Sequence, residues 1–413
     1  MAGSKRTDNK GRILKTGESQ RKDGRYQFQY TDSTGKRHCI YDMNLSKLRE
    51  KEKKILKDLE DGIRSMDSKK ITLIDLVEMY LENHRSIREA TEISYRKIFN
   101  VHIKDSSIGK KSICNIKNSD MLKFYNGLLD KGLSSGYLHI MNAFLSPAFD
   151  LAVDDDLIRK NPCNNIMAKL EKTEKIPKKA MTLEEQQCFL NFLAKSKRFN
   201  TYLPLFTILL GTGLRIGECL GLTWKEVDFE NKLIYVTHTL RYDNYGDGSK
   251  FHISEPKTES GKRTIPMIEE VQKAFQNIWN KNIILGGSGD FIVDGYQDFV
   301  FLTRKKRRLY MPNTISQMLT RIVNSYNDEE RATAIAQNRK PLLLPHLTPH
   351  IMRHTFCTRF CENETNVRVI QEVMGHRDIK VTMNVYSHVT LDKAKSCMES
   401  MEKVLQQTLQ QKE

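Results

Sequence analysis

No stretch of the 413-residue sequence approaches the run of about 18 apolar residues that a membrane-spanning helix needs. The amino-terminal segment MAGSKRTDNKGRILKTG carries charge but is not followed by an apolar segment, so it does not match a secretory signal. We therefore expect a protein that is neither exported nor membrane-embedded and that works in the cytoplasm.

The sequence also lacks clustered cysteines. The eight cysteines form no CxxC pair and have no histidine-rich cluster beside them. This scatter suggests neither a zinc site nor a disulfide framework, so the sequence predicts reduced thiols and no metal site. Cys357 and Cys361 are four residues apart, a spacing that on a helix more often marks one buried face than a metal clamp.

Acidic residues are too few to balance the basic ones. Lysine and arginine total 67 against 51 aspartate and glutamate, which leaves a formal charge of +16. Such an excess favours a polyanionic partner, nucleic acid before a membrane surface, although a generally basic and well-solvated surface would give the same count. The length favours two or three domains over one.

Residues 1–65 are predicted to form a small module with a β-sheet and one helix. Aromatic and polar side chains alternate over 25–31, DSTG is a turn, and 36–42 supplies a second strand, with 11–17 as a possible third. Apolar side chains then recur at helical spacing, so a helix can cover one face of the sheet. Basic residues crowd the amino-terminal edge, and the DNA-binding candidates among them are Arg12, Lys15, Arg21, Lys22 and Arg25.

Residues 70–168 have a helical pattern throughout, which predicts a bundle-like domain. Its apolar stripes lie at 73–81, 95–103, 121–129 and 137–153. A charged, proline-containing linker is expected at 169–177, since this segment has little to bury. We place a third, mainly α (α+β) domain at 178–395 and a tail helix at 396–413.

The third domain combines helices with two predicted strands. Helical patterns run through 182–195 and 202–213, a strand is predicted over 232–242, and a second strand over 262–267. A long polar, charged lead-in, 324–345, precedes the next helix.

Three motifs in this domain could carry chemistry, and two of them centre on single basic residues. In TGLRIGECLGL, Gly213 can end one helix and Arg215 begins the next. In SEPKTESGKRTIPM, Lys257 lies in the turn between the two predicted strands. Taken alone, neither residue would stand out, because lysine and arginine are abundant throughout the chain.

The third motif is LTPHIMRHTFCTRF, continued by MGHRDIKVTMNVY. Thr348 and Pro349 resemble a helix cap and a first-turn proline, so His350 and Arg353 share one helix face. An isolated HxxR is more often a solvated or capping pair, and a single late tyrosine is usually packing. These alternatives become less favoured when the motifs are taken together, because an arginine, a lysine, the HxxR pair, a Gly-His pair and a tyrosine follow one another in this order.

The ordered set strongly resembles the tyrosine recombinase (phage integrase) family. The matching residues are Arg215, Lys257, His350, Arg353, His376 and Tyr386. The resemblance covers nearly all of 178–395, and the helical domain fits the family's core-site-binding domain by architecture. The amino-terminal module resembles the arm-binding domain of conjugative-transposon integrases.

The resemblance implies a role for each residue type. Tyr386 would be the nucleophile, forming a 3′-phosphotyrosyl link and freeing a 5′-hydroxyl. Arg215 and Arg353 would clamp the non-bridging phosphate oxygens with their planar guanidinium groups. Lys257 would protonate the departing 5′-oxygen.

The supporting residues are less sharply assigned. His350 and His376 would donate to phosphate oxygens or help the tyrosine to lose its proton, and the sequence does not divide these duties between them. Glu218 matches the family's usual acidic position, where it would orient the site rather than react.

The resemblance therefore implies an integrase that inserts and excises a mobile element through a Holliday junction, without metal, ATP or another cofactor. Its expected partners are double-stranded DNA at core and arm sites, three further copies in a homotetramer joined by tail exchange, and an excisionase. Two alternatives stay open, a non-catalytic DNA-binding protein on a decayed recombinase scaffold and a type IB topoisomerase. The first predicts loss of a catalytic residue, and none is lost; the arm-like module argues against the second.

Overall fold

The computed structural model divides into two compact units, Met1–Lys175 and Ile176–Glu413. The residues it describes are 6–32, 35–62, 68–84, 87–170, 179–244, 248–256, 261–287, 291–303, 307–363, 366–375, 378–379 and 383. Among them, no helix combines the length and the apolar character that crossing a bilayer requires. The domain boundaries given above remain predictions.

The first unit begins with the predicted antiparallel sheet and its covering helix. Its strands are β1 (Glu18–Gln20), β2 (Tyr26–Thr31) and β3 (Arg37–Asp42), paired in the order β1-β2-β3. Helix α1 (Leu45–Glu60) follows. One face of β2 is buried with α1 in a small core, and the register places Gln27 opposite Tyr41 on the other face. The alternating pattern of 25–31 predicted this arrangement correctly.

The possible third strand over 11–17 does not form, so this prediction is wrong. This segment forms only an isolated bridge between Thr7 and Ile13, and the third strand begins one residue later, at Glu18. The reason is Gly17, which has a φ of +85° and lies against the sheet so closely that a Cβ there would be 2.8 Å from the Gln29 carbonyl oxygen. The chain turns at this glycine instead of extending through it.

The remainder of this unit is helical, as predicted. The helices are α2 (Leu73–Asn83), α3 (Glu89–Ile98), α4 (Asn118–Asp130), α5 (Ser135–Asp154) and the short α6 (Ile166–Lys169). They share a core that includes Leu76, Tyr125, Phe144 and Phe149, each fully buried. The stripe predicted over 95–103 ends as a π-helical turn, Phe99–Ile103, rather than as regular α-helix.

The second unit is mainly helical around one large apolar core. Its helices are α7 (Leu183–Lys195), α8 (Leu203–Thr212), α9 (Ile216–Gly221), α10 (Glu269–Ile284), α11 (Pro312–Ala336), α12 (Pro349–Asn363) and α13 (Val367–Met374). Its strands are β4 (Val227–Asp228), β5 (Leu233–Val236), β6 (Thr239–Asn244), β7 (Ser249–Ser254) and β8 (Arg263–Pro266).

Two predictions for this unit need correction. The single strand expected over 232–242 is two strands, because β5 joins a sheet of order β4-β5-β8 whereas β6 pairs with β7 in a separate hairpin. The break falls at His238, which is buried and bonds through Nε2 to the Gly221 carbonyl at 2.7 Å. The polar lead-in over 324–345 is also half helix, since α11 continues to Ala336 and buries Tyr326 and Ala334.

Candidate functional site

The turn between α8 and α9 places the first group of predicted site residues. Gly213 ends α8 in the left-handed region, with φ +64°, and Arg215 is the N-cap of α9. Glu218 closes this start of α9, because its Oε2 accepts from the Arg215 backbone N–H at 2.9 Å. The Arg215 guanidinium donates to the other oxygen of Glu218 at 2.6 Å. The predicted pairing of these two residues is therefore present in the fold.

Arg353 lies in α12 and is buried, with 3% of its surface exposed. Its Nη1 donates to the Gly213 carbonyl at 2.6 Å, and its Nη2 donates to the carbonyl of Met374. Burial, reinforced by the charge of Arg215, lowers the pKa of Arg353 to about 9. A guanidinium in this setting gains most from an anion, because only an anion would offset both the burial and the like charge.

His350 is in the first turn of the same helix. Pro349 begins α12, and the Thr348 hydroxyl accepts from the Ile351 backbone N–H at 3.2 Å, so the predicted cap is present. His350 is exposed whereas Arg353 is buried, so the two residues have different surroundings despite their three-residue spacing.

Lys257, His376 and Tyr386 lie outside the described residues. The structure does describe the elements that lead to the first two of them. Strand β7 ends at Ser254, and α13 ends at Met374, followed by Gly375 as its C-cap with a left-handed φ of +61°.

Sequence reasoning missed Arg263, the first residue of β8. Its side chain is 4% exposed, and its Nη2 donates to Glu218 Oε2 at 2.8 Å. It also donates through Nε to the Val373 carbonyl at 2.8 Å. The signal was the alternation within β8, where Arg263 shares a face with the buried Ile265. An arginine on the buried face of a strand needs an anion, and Glu218 is that anion.

Glu218 is thus shared by two arginines, and a third lies nearby. Burial by itself would raise the pKa of Glu218, but the hydrogen bond and charge of Arg263, together with Arg215, hold it at about 2. One carboxylate beside three guanidinium groups leaves the cluster with an excess of positive charge. Such a cluster can bind a phosphate, whose oxygens suit the planar donors of arginine.

The basic candidates of the amino-terminal module are all exposed, and three of them have described side-chain partners. Arg21 and Arg25 lie over the ring of Tyr41, with 5.4 and 5.9 Å between guanidinium carbon and ring centre. Arg12 lies over the ring of Tyr26 at 5.4 Å and also forms an ion pair with Asp8 at 2.7 Å. Lys15 and Lys22 complete the set. The module therefore presents cations and an aromatic ring together at one surface.

Family models match three parts of the chain, in the order of the predicted domains. Residues 159–393 match the phage integrase family, residues 2–59 the DNA-binding domain of the Tn916 integrase, and residues 72–129 the amino-terminal SAM-like domain of phage integrases. The protein belongs to the phage integrase family of tyrosine recombinases. It is a tyrosine-type site-specific recombinase.

Particular relatives place it beside the integrases of conjugative transposons. The transposase of transposon Tn916 from Enterococcus faecalis is 35% identical over 420 residues, with 98% of each chain covered. The transposase of transposon Tn1545 from Streptococcus pneumoniae has the same identity and coverage. A solved structure of the Tn1549 transposon integrase with transposon right-end DNA is 34% identical, with a TM-score of 0.69, and covers 80% of this chain and 100% of that one. The predicted resemblance to this group is confirmed.

A more distant likeness concerns the fold alone. A λ integrase tetramer bound to a Holliday junction has a TM-score of 0.53 at 18% identity, and the match covers 89% of this chain and 97% of that one. The predicted fold class, a β-sheet DNA-binding module followed by a helical core-binding domain and a helical catalytic domain, is confirmed by the family matches.

Proposed function

We propose that this recombinase integrates and excises a mobile element, with Tyr386 as the nucleophile. The observation that carries the proposal is the cluster in which Arg215 and Arg353, 138 positions apart in sequence, approach neighbouring carbonyls of one helix end. Two planar guanidinium groups held this close, both charged at neutral pH, suit a single phosphate. Because the described fold already brings these two residues together, the remaining members of the ordered set can complete the site.

In the proposed cleavage step, the phenolic oxygen of Tyr386 attacks the phosphorus as its proton leaves. Arg215 and Arg353 stabilise the charge that develops on the non-bridging oxygens. Lys257 transfers a proton to the 5′-oxygen as the bond between that oxygen and phosphorus breaks. His350 and His376 donate to phosphate oxygens or assist the tyrosine.

The products of this step are a 3′-phosphotyrosyl bond and a free 5′-hydroxyl. One phosphoester replaces another, so the energy of the broken bond is conserved. A 5′-hydroxyl from a different strand can then attack the phosphotyrosine in the reverse reaction, and exchange of one strand pair gives a Holliday junction. We propose that the reaction needs neither ATP nor a metal ion.

A trapping assay tests the chemistry. A core-site duplex with a nick just 3′ of the cleavage position loses the short fragment that carries the new 5′-hydroxyl, so the strand cannot be rejoined and the covalent adduct accumulates. We expect an adduct with the wild type that survives EDTA, none with Tyr386→Phe, and an unchanged amount with Tyr235→Phe, which alters an exposed tyrosine of β5. An adduct formed by Tyr386→Phe would overturn the assignment of the nucleophile, and no adduct with the wild type would favour a decayed scaffold.

The amino-terminal module is proposed to bind arm sites through the exposed face of its sheet. That face carries Gln27 and Gln29 from β2 and Arg37, Cys39 and Tyr41 from β3, since these residues alternate with the ones that contact α1. Amide and guanidinium groups on a sheet can hydrogen-bond base edges in a major groove. The basic edge would bind the adjoining phosphates, and the helical domain and the second unit would hold the core site.

We further propose a homotetramer on DNA, joined by exchange of the tail. The tail lies outside the described residues, and its apolar residues recur at helical spacing in the sequence from Leu391 to Leu409. Removal of residues 391–413 should leave binding to a single core site intact and abolish the tetrameric complex with two sites, as measured by the mass of the complexes. An excisionase is proposed as a partner for excision, and the cytoplasm as the location, since the DNA substrate lies there.

A further inference from the structure

Three consecutive backbone carbonyls at the end of α13 are each bound by a different arginine. The Val373 carbonyl accepts from Arg263, and the next two carbonyls accept from Arg353 and Arg215. These three arginines come from β8, α12 and the start of α9. Because the last carbonyls of a helix have no partner within it, side-chain donors are their natural complement.

Of the three arginines, Arg263 makes the most hydrogen bonds. Besides Val373, its guanidinium binds both carboxylate oxygens of Glu218, at 3.2 Å through Nη1 and 2.8 Å through Nη2, and its Nη1 also reaches the Gly261 carbonyl at 3.4 Å. All three of its nitrogens are therefore occupied. One side chain links the strand that follows the Lys257 turn, the carboxylate that holds Arg215, and the end of α13.

We propose that Arg263 is a positioning residue for strand cleavage, holding the Lys257 turn in register with the phosphate clamp. This inference rests on the roles proposed for Lys257 and Arg215. Arg263 is six residues after Lys257 and only two after Gly261, where the described chain resumes, so its anchored guanidinium fixes the start of the strand that follows Lys257. On the other side, Glu218 binds both Arg263 and Arg215, and a cation at position 263 is enough to keep this carboxylate in place for Arg215.

The planar guanidinium of Arg263 allows it to bind Glu218 and the Val373 carbonyl at the same time. A guanidinium donates in several fixed directions at once, whereas a lysine ammonium is a point charge on a flexible stem. Replacing Arg263 by lysine keeps a cation for Glu218 but gives up the simultaneous bond to Val373. A displacement of about 1 Å in a catalytic group can cost about 100-fold in rate. We therefore expect Arg263→Lys to slow cleavage by this order.

A substrate with an altered leaving group separates positioning from simple support of the fold. When sulfur replaces the bridging 5′-oxygen at the cleaved phosphate, a thiolate leaves, and because its conjugate acid is far stronger than an alcohol, it needs no proton from Lys257. Arg263→Lys should then cleave the sulfur substrate within a few-fold of the wild type. The ratio of sulfur to oxygen cleavage, each measured in single turnover, should rise about 100-fold over the wild-type ratio.

This ratio does not depend on how much of a preparation is folded, because both substrates are cleaved by the same sample. Lys257→Ala should show the same rise, and Arg353→Lys should slow both substrates together. Arg331→Gln is the matched control, since Arg331 is in an exposed ion pair with Asp328 at 3.1 Å, and its ratio should equal that of the wild type. If Arg263→Lys folds poorly, Arg263→Gln is measured in the same way.

An unchanged ratio, with or without a loss of rate, would overturn the proposal and leave Arg263 as a counterion for Glu218. That outcome differs from a failure of the proposed chemistry, in which the wild type itself would form no adduct with the oxygen substrate.

Discussion

The ring of Phe356 lies directly against Gly213, so that a Cβ built on this glycine would be 2.3 Å from Cδ1 of the ring. Gly213 also has a left-handed φ of +64°, and its carbonyl accepts from Arg353 at 2.6 Å. The absence of a side chain at this position therefore allows the close packing and the turn that together present a carbonyl to a clamp residue.

Gly213→Ala should destabilise the second unit by about 2–4 kcal/mol, because it adds overpacking to left-handed strain. It should also slow adduct formation, since the carbonyl bound by Arg353 must move. Thermal denaturation and the trapping assay measure the two effects. The control is Gly127→Ala in α4, where the new methyl group meets open space and we expect a gain of up to about 1 kcal/mol. A stable, fully active Gly213→Ala would contradict this account.

Glu218→Gln should cost about 3–5 kcal/mol, because it leaves the buried charge of Arg263 uncompensated. The effect depends on pH. The folded pKa of Glu218 is about 2, below the ordinary 4.5, so its stabilisation is present above pH 4.5 and is lost as the pH falls towards 2. Urea unfolding at several pH values measures it, and the variant should lack this part of the acid sensitivity. Glu230→Gln, at an exposed glutamate, should behave as the wild type.

In the amino-terminal module, Glu52→Gln should be stabilising at neutral pH. Glu52 is 5% exposed and adjoins Glu18, whose carboxylate is already bound by Arg49. Burial and the hydrogen bond with Glu18 raise the pKa of Glu52 above 4.5. A carboxyl group with a raised folded pKa costs stability as the pH climbs past its unfolded value, so the neutral amide removes this cost at pH 7 but not at pH 4.

Amide hydrogen exchange in α1 of the full chain measures this change. We expect opening to be about five-fold rarer in Glu52→Gln at pH 7, which corresponds to about 1 kcal/mol. Glu50→Gln, at an exposed position of the same helix, should not alter exchange. Equal gains at pH 4 and pH 7 would rule out the charge as the cause.

Arg21→Gln should weaken arm-site binding in a salt-dependent way. Arg21 is exposed and lies over Tyr41 at 5.4 Å, which orients its charge at the edge of the proposed DNA face. Loss of one phosphate contact reduces the slope of log affinity against log salt by about 0.9. Lys53→Gln removes a charge from α1, which covers the opposite face of the sheet, and should leave the slope unchanged. An equal change of slope in both variants would contradict the proposal that DNA binds the exposed face of the sheet.

Local signals in the sequence were sufficient for much of this structure. The alternation of 25–31 predicted the sheet and its buried face, and the three-residue spacing of Arg215 and Glu218 predicted their pairing at the start of a helix. Thr348 and Pro349 predicted the start of α12. In each case the partner lies within a few residues, so the sequence pattern contains both members of the interaction.

The features that the sequence did not predict depend mostly on partners that are distant along the chain. Arg263 reaches a carboxylate 45 positions away, and no local pattern identifies which anion a buried strand arginine will find. The segment 232–242 has uniform strand character, so the switch between two sheets at His238 depends on a bond to Gly221. The helical continuation of α11 was hidden by its polar composition, because only a few of its later residues face the core.

The three bound carbonyls at the end of α13 also fix the length of this part of the chain. Adding or removing one residue within α13 would rotate everything after it by about 100° around the helix axis. All three arginines would then lose their acceptors together, and no single compensating substitution could restore them. A fusion, tag or loop graft is therefore best kept away from residues 367–375, even though the helix is only eight residues long.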